Sequence, residues 1–156
     1  MKTQKLSNSN LELWTILGKV RHSIFLVRQK ELNQYNLSAS HAYLLRIIID
    51  LGSKATIFEV AKKVDRKISV ISRQTARMEK DGLIKRIKQS PKKNILQLEL
   101  TKKGLDMAKI SYESKSLDIL FSCLSSEDRQ QMESSLDRLL IKLAEITSDL
   151  SLKNDL

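Results

Sequence analysis

A row of cationic and hydroxyl side chains recurs at helical spacing near the middle of the 156-residue sequence. At 100° per residue, one face of a helix would carry Arg66, Ser69, Arg73, Arg77 and Lys80. The opposite face, predicted to be buried, would carry Val64, Ile68, Ile71, Thr75 and Met78. Arginine forms paired hydrogen bonds with guanine or phosphate, and the major groove, about 12 Å wide, admits one helix. The row therefore predicts a helix that contacts double-stranded DNA.

The positive charge of the protein is concentrated around this row. The sequence contains 28 Lys or Arg and 18 Asp or Glu. Residues 54–103 hold 15 of the bases and 5 of the acids, so the whole net charge of +10 lies in one third of the chain. A local positive field attracts a polyanion. Membrane-surface binding would need aromatic anchors, and this segment contains only Phe58. Charge alone leaves a solvated basic face as the alternative.

Local signals before and after the row predict a helix-turn-helix. Thr56 and Glu59 match a capping box, in which each side chain bonds the other residue's free backbone N–H. The short helix that they open is followed by a turn near Asp65. The basic helix is predicted over residues 66–81 and ends at Gly82. Two short helices with a brief turn, the second strongly basic, are typical of this DNA-binding motif.

After Gly82 the apolar period changes from 3.6 to 2, which predicts a β-hairpin. Residues 84–89 and 96–101 alternate, and the turn formers of residues 90–94 lie between them. The wing, residues 84–100, would carry Lys92 and Lys93 at its tip, beside the adjacent minor groove or its phosphates. A solvated turn is the alternative.

Long helices are predicted on both sides of this region. They cover residues 10–35, residues 38–51 with an N-cap at Ser38, residues 102–124, and a last helix that begins at a capping-box-like start, residues 125–128. The predicted fold class is mainly α with a small antiparallel β-hairpin wing: a winged helix-turn-helix plus a helical dimerisation region.

The outer helices predict a homodimer. Residues 1–36 and 105–156 carry more apolar surface than a small DNA-binding domain, residues 37–104, can cover. Outside residues 54–103 the bases and acids balance, so no net repulsion opposes self-association. Two-fold symmetry would set the two basic helices about 34–36 Å apart, one turn of DNA.

Few residues of the sequence are candidates for catalysis, metal binding or cofactor binding. His22 and His41 are the only histidines, neither lies in a metal-ligand spacing, and no Gly-rich phosphate loop occurs. We therefore expect neither an enzyme nor a cofactor. The lone Cys123 sits among Leu120, Phe121 and Leu124 and is predicted to be a buried, inert thiol. With no signal peptide and no apolar run long enough to cross a membrane, a cytoplasmic protein is expected.

Several short motifs together resemble the multiple antibiotic resistance regulator (MarR) family over residues 11–146. They are LS at 37–38, EVA at 59–61, SVISR at 69–73, MEKDGLI at 78–84, Arg86, and LTKKG at 100–104. The order and spacing of the motifs, ending in the Leu-Thr-x-x-Gly entry to a helix, are more specific than any one of them. The resemblance implies a homodimer of interlocked terminal helices that binds a pseudo-palindromic operator, and repression is the expected mode of action.

The resemblance also implies features that this sequence meets only in part. Family wings carry Asp-x-Arg near the tip, where the Arg enters the minor groove and the Asp holds an Arg of the recognition helix; here Lys92 and Asn94 occupy those places. Relatives often bind small aromatic acids between the dimer helices and the winged domain. Residues that could line such an effector cleft are Trp14, Tyr43, Arg46 and Tyr112, with ordinary packing and solvent contacts as the alternative.

The sequence thus assigns DNA contacts to two groups of residues. The recognition-helix group is Arg66, Lys67, Ser69, Val70, Ser72, Arg73 and Arg77. The group on the wing and its flanks is Arg86, Lys88, Lys92 and Lys93. Two other functions stay open: a non-specific architectural DNA-binding protein, and a protein-interaction module that uses the wing fold without DNA.

Overall fold

The computed structural model describes the backbone of residues 9–90 and 93–153 and the side chains of residues 9–88 and 95–147. The elements along these residues are α1 Ser9–Asn33, α2 Ala39–Leu51, α3 Ile57–Lys63, α4 Ile68–Lys80, β1 Ile84–Ser90, β2 Lys93–Leu100, α5 Lys102–Tyr112, α6 Lys115–Phe121 and α7 Ser126–Lys153. The predicted fold class, mainly α with one hairpin, is confirmed. The chain divides into two compact units after Ser116. None of the described helices combines the length and apolarity needed to cross a membrane.

The core of the first unit is built around α2. Ser38 caps this helix by accepting from the backbone N–H of His41 at 3.0 Å, and Gly52 ends it with a positive φ of 53°. Its buried side chains pack with apolar residues of the other elements of the unit, among them Leu32, Val60, Ile71, Met78, Ile84, Leu98 and Ala108. Near the end of α2, Ile47 and Ile48 are buried whereas Ile49 is 38% exposed.

The two helices of the helix-turn-helix are joined by a left-handed turn. Thr56 Oγ1 accepts from the N–H of Glu59 at 3.1 Å, which is one of the two hydrogen bonds of the predicted capping box. The reverse bond, from the Thr56 N–H to the Glu59 carboxylate, does not form among the described residues. Asp65 adopts a φ of 50°, and the N–H of Arg66 then donates to the Ala61 carbonyl at 3.0 Å. Asp tolerates this conformation better than most residues with a Cβ. The turn therefore redirects the chain within a few residues, and α4 starts at Ile68.

The wing is an antiparallel hairpin fastened to the helix-turn-helix. Its register pairs Ile84 with Leu100 and Lys88 with Leu96, and the pairing shifts between Lys88 and Ser90. An isolated antiparallel bridge, which the sequence did not indicate, pairs Thr56 with Gln97 of β2. This contact joins the start of α3 to β2, so the base of the wing is fixed to the helix-turn-helix.

The predicted single helix over residues 102–124 is wrong, because the chain breaks between α5 and α6. Glu113 is extended, with ψ of 112°. Arg28 of α1, which is buried, donates to the carbonyls of Ser111 at 3.0 Å and Glu113 at 3.1 Å. Glu31 pairs with Arg28 and accepts hydrogen bonds from the backbone and hydroxyl of Ser116. One arginine thus satisfies carbonyls at the end of α5, and one carboxylate satisfies a donor at the start of α6.

The charges of Glu31 and Arg28 compensate each other. Burial alone would raise the pKa of Glu31, but the hydrogen bonds from Ser116 and Arg28 outweigh it, so the pKa lies below its ordinary value. Glu31 therefore carries its charge at neutral pH, and Arg28 has a partner for the charge it buries.

The second unit consists of the rest of α6 and α7. Ser125 and Asp128 form the predicted capping box in both directions: the Asp128 N–H donates to Ser125 Oγ at 3.1 Å, and the Ser125 N–H donates to Asp128 Oδ2 at 3.0 Å. Hydrogen bonds to the carboxylate from the Ser125 hydroxyl, at 2.7 Å, and from the Ser125 N–H lower the pKa of Asp128. Cys123, predicted to be buried, is exposed, because it lies in the turn after α6 rather than on the apolar face of a continuing helix.

Candidate nucleic-acid interface

The polar row predicted from the sequence lies on the solvent side of α4 and its leading turn. Its members Arg66, Ser69, Arg73, Arg77 and Lys80 are all exposed, as is Lys67. No described residue forms a salt bridge with Arg66, Arg73 or Arg77, so these three guanidinium groups are available to an external anion. Val70 and Ser72, also assigned to DNA from the sequence, are half-buried at the margins of the row.

The opposite face of α4 holds the helix on the core. Ile71, Thr75 and Met78 are at most 1% exposed. The hydroxyl of Thr75 donates to the Ile71 carbonyl at 2.9 Å, which satisfies the one polar group of this face. Ile68, predicted to be buried with them, is 52% exposed, because it is the first residue of α4 and packing against the core begins one turn later.

An ion pair links α4 to the wing. Glu79 accepts from the backbone N–H of Arg86 at 2.9 Å and from its Nε at 2.7 Å. Hydrogen bonds from Arg86 lower the pKa of Glu79, so the pair stays charged at neutral pH. The sequence assigned Arg86 to DNA contact; in the structure one edge of its guanidinium binds Glu79. Only the remaining N–H groups of Arg86 could reach a phosphate.

The C-terminal end of α4 contacts the first turn of α2. His41 Nδ1 lies 3.8 Å from Asp81 Oδ2, directly after α4. Burial lowers the pKa of His41; Asp81 opposes this effect, and Arg77 adds to it. His41 is therefore mostly neutral at pH 7, and the positive charge at this end of the row comes from Arg77 and Lys80.

Between the arginines of α4 the surface is concave. A depression of about 220 Å³ is lined by Val70, Arg73, Gln74 and Arg77, at helical spacings of i, i+3, i+4 and i+7. Gln74 was not assigned to DNA from the sequence, although helical spacing places it beside Val70 and Arg77, on the flank of the row.

The assigned wing residues are only partly described. Lys88 is exposed on β1. Lys93 is the first residue of β2, and its side chain lies outside the described set. Lys92, at the tip, lies outside the described residues altogether. The contacts predicted for Lys92 and Lys93 therefore remain predictions.

The residues considered for an effector cleft are also solvent-accessible. Arg46 Cζ lies 5.9 Å from the centre of the Tyr43 ring, a cation–π distance, and both residues belong to α2. Trp14 on α1 is 72% exposed and Tyr112 at the end of α5 is 54% exposed.

The α2–α4 core, the β1–β2 wing and the outward cationic row define a winged helix-turn-helix fold. Solved structures of the same fold are transcriptional regulators. An organohalide-sensing regulator, RdhR, in its 2,4-dichlorophenol-bound form is 24% identical, with a TM-score of 0.81 over 89% of this chain and 85% of that one. A mutant MarR from E. coli in complex with operator DNA is 17% identical, with a TM-score of 0.80 over 88% and 99%.

AbsC, a MarR-family transcriptional regulator from Streptomyces coelicolor, is 20% identical, with a TM-score of 0.79 over 92% of this chain and 99% of that one. No family model matches the sequence, and no curated protein matches it significantly. At these identities the likeness establishes the fold, which is that of MarR-type regulators.

Proposed function

We propose that this chain is a MarR-family transcriptional regulator that binds a specific double-stranded DNA site as a homodimer and represses transcription there. The observation that carries the proposal is the unpaired cationic row of α4, held rigidly by a buried face on a fold that MarR uses in its complex with operator DNA. A row made only for solubility would pair with acidic residues one turn away. Here the two acidic residues at its end face other groups: Glu79 binds Arg86, and Asp81 lies 3.8 Å from His41.

In this proposal α4 enters the major groove and the wing lies beside the duplex. Arg73 and Arg77 contact guanine edges or phosphates, and Arg66, Lys67 and Ser69 contact the groove wall at the start of the helix. Lys88, with Lys92 and Lys93 near the tip, contacts the backbone or the minor groove. Arg86 contributes mainly by fixing the wing to Glu79, with its free N–H groups directed to a phosphate.

Residues 37–104 form the proposed DNA-binding domain, and residues 1–36 and 105–156 the dimerisation region. Exposed large apolar side chains support this division. On α1 they are Leu11, Leu13, Trp14, Ile16, Leu17, Val20, Phe25, Leu26 and Val27, and on α7 they are Met132, Leu136, Leu139, Leu140, Ile141, Leu143 and Ile146. Apolar surface on this scale marks a protein interface.

We expect sedimentation velocity to give a dimer at micromolar concentration. Replacing two exposed apolar residues of α7, Leu140→Asp with Ile141→Asp, should raise the dimer Kd at least about 100-fold, because each side chain loses burial stabilisation of about 1.5–3 kcal/mol and about 1.4 kcal/mol is tenfold. Arg138→Ala, on the same helix, is the matched control and should leave the Kd nearly unchanged. A wild-type monomer at micromolar concentration would contradict the homodimer.

A small-molecule effector is part of the proposal. RdhR binds 2,4-dichlorophenol, and in this chain the exposed Tyr43 ring lies beside the partly buried Arg46, an aromatic and cationic pair of the kind that binds such compounds. No cofactor and no catalytic group are assigned, and a cytoplasmic location is expected.

Competition binding tests the proposal against an architectural role. Labelled DNA from upstream of the chain's own coding sequence is titrated with the full chain while random duplex competes. A specific regulator should prefer its site by at least about 10³-fold. Equal binding of both duplexes would identify a non-specific DNA-binding protein. A lack of any salt-dependent binding would favour a protein-interaction module instead.

A further inference from the structure

Gln74 lines the depression on α4, on the flank of the cationic row next to the buried face. Arg73 and Arg77 border it on the same helix, and Val70 lies one turn toward the N-terminus. Gln74 is half-buried whereas both arginines are exposed, so its side chain has less conformational freedom to lose when it binds. The helix beneath it is fixed by the buried Ile71 and Thr75. The Gln74 side chain is therefore restricted in conformation. It lies on the part of α4 that contacts DNA in the proposed function.

The carboxamide of Gln74 has hydrogen-bonding capacity that the protein does not use. Among residues 9–90 and 93–153, none hydrogen-bonds this side chain. An amide offers a donor and an acceptor side by side. Adenine offers the complementary pair in the major groove, an N7 acceptor and an N6 donor, so glutamine and adenine form a bidentate contact.

A phosphate contact would use Gln74 poorly. Phosphate oxygens accept hydrogen bonds and offer no donor, so the amide oxygen of Gln74 would face negative charge without a partner. The neighbouring arginines supply donors with full charge, which bind phosphate more strongly. Val70, at the edge of the same depression, offers an apolar surface of the kind that packs against a thymine methyl group. The chemistry of the depression therefore fits an A·T-containing base step.

We propose that Gln74 is a specificity-determining residue that selects an adenine in the DNA site through its N6 and N7 atoms. This inference rests on the proposed function, and it specifies which base the middle of α4 recognises. Arg73 and Arg77 contact neighbouring guanines or phosphates.

The test begins with a random-sequence duplex pool, from which the full-length wild-type chain selects its preferred site. Each adenine of that site is then replaced in turn by 7-deazaadenine, which lacks the N7 acceptor, or by purine, which lacks the N6 amino group. At one adenine both analogues should weaken wild-type binding about 10-fold. Gln74→Ala should bind the natural site about 10-fold more weakly. Either analogue at that position should then cause no further loss of affinity, because the contact with adenine is already absent from the variant.

A second variant keeps the test independent of folding. Gln74→Glu retains an acceptor and removes the donor, so its preference at that position should move from adenine to cytosine, whose N4 amino group donates. A new preference cannot come from an unfolded protein. Lys80→Ala, one to two turns away on the same row, is the matched control; it should weaken binding of all duplexes evenly and keep the penalties of both analogues.

The outcomes separate the inference from the proposed function. If the wild-type chain selects a site but Gln74→Ala keeps every analogue penalty, or loses affinity evenly for all duplexes, the reading of adenine by Gln74 is overturned and the regulator stands. If the wild-type chain selects no site, sequence-specific regulation itself is overturned. Loss of the penalties at one adenine, together with the change to cytosine in Gln74→Glu, supports the inference.

Discussion

The double variant Arg73→Ala, Arg77→Ala should bind the preferred duplex about 100-fold more weakly than the wild-type chain and should lose much of its base preference. A bidentate arginine–guanine contact contributes roughly 1–3 kcal/mol of discrimination, and neither guanidinium forms a salt bridge with any residue that the structure describes. Both residues are exposed, so the stability of the fold should change little. The loss should therefore fall on binding alone.

Fluorescence anisotropy on the selected duplex and on random duplex, at several salt concentrations, measures both effects. Lys88→Ala is the matched control, because Lys88 is exposed on the wing and lies away from the base edges of the major groove in the proposed geometry. It should weaken binding to all sequences evenly and lower the salt slope by about one. If the double arginine variant kept both the DNA affinity and the base preference of the wild-type chain, the outward row of α4 would not be the surface that recognises DNA.

Residues that interact with near neighbours in the chain were predicted well from the sequence. Thr56 and Ser125 cap helices as predicted, and Gly82, with a φ of 72°, follows the recognition helix where the sequence expected it to end. The outward row of α4 was predicted because a helix has a fixed period and the buried face at Ile71 and Met78 fixes its rotation. These features depend on residues within one or two turns.

Features that depend on distant residues were missed. The break after α5 exists because Arg28 and Glu31, more than 80 positions away in the chain, satisfy the backbone groups of the two helix ends. Periodicity over residues 102–124 contains no trace of that contact. Cys123 was misplaced for the same reason, since its predicted burial assumed a helix that continues. The polar atoms of Arg28 would have been expected in solvent.

The role of Arg86 illustrates a third limit. A basic residue beside a recognition helix is equally consistent with a phosphate contact and with an internal ion pair, and the sequence cannot distinguish them. The structure shows that Arg86 binds Glu79 from the first strand of the wing. Where MarR-type wings use an Asp near the tip to hold an arginine of the recognition helix, this chain ties its recognition helix to the wing through a carboxylate on the helix itself.

The Leu-Thr-x-x-Gly motif was recognised as a pattern, and the structure supplies its physical reason. A Cβ atom on Gly104 would lie 1.9 Å from the carbonyl oxygen of Leu83 and 3.2 Å from Leu100 Cδ2. The Leu83 oxygen also accepts from the Thr101 N–H at 3.1 Å, and Thr101 Oγ1 caps α5 by accepting from the Gly104 N–H at 3.0 Å. The start of α5 therefore lies directly on the link between α4 and β1, where only glycine fits.

Gly104→Ala should consequently destabilise the fold by about 3 kcal/mol or more, because the atom in the way is backbone that cannot rotate aside. In a chain of this length that corresponds to a fall in Tm of about 10 °C, measured by circular dichroism at fixed protein concentration. Gly18→Ala is the matched control: it lies inside α1 with nothing within 4 Å of the added Cβ, so it should stabilise the helix by up to about 1 kcal/mol. Equal melting temperatures for the two variants would mean that α5 does not approach Leu83 as closely as the structure places it.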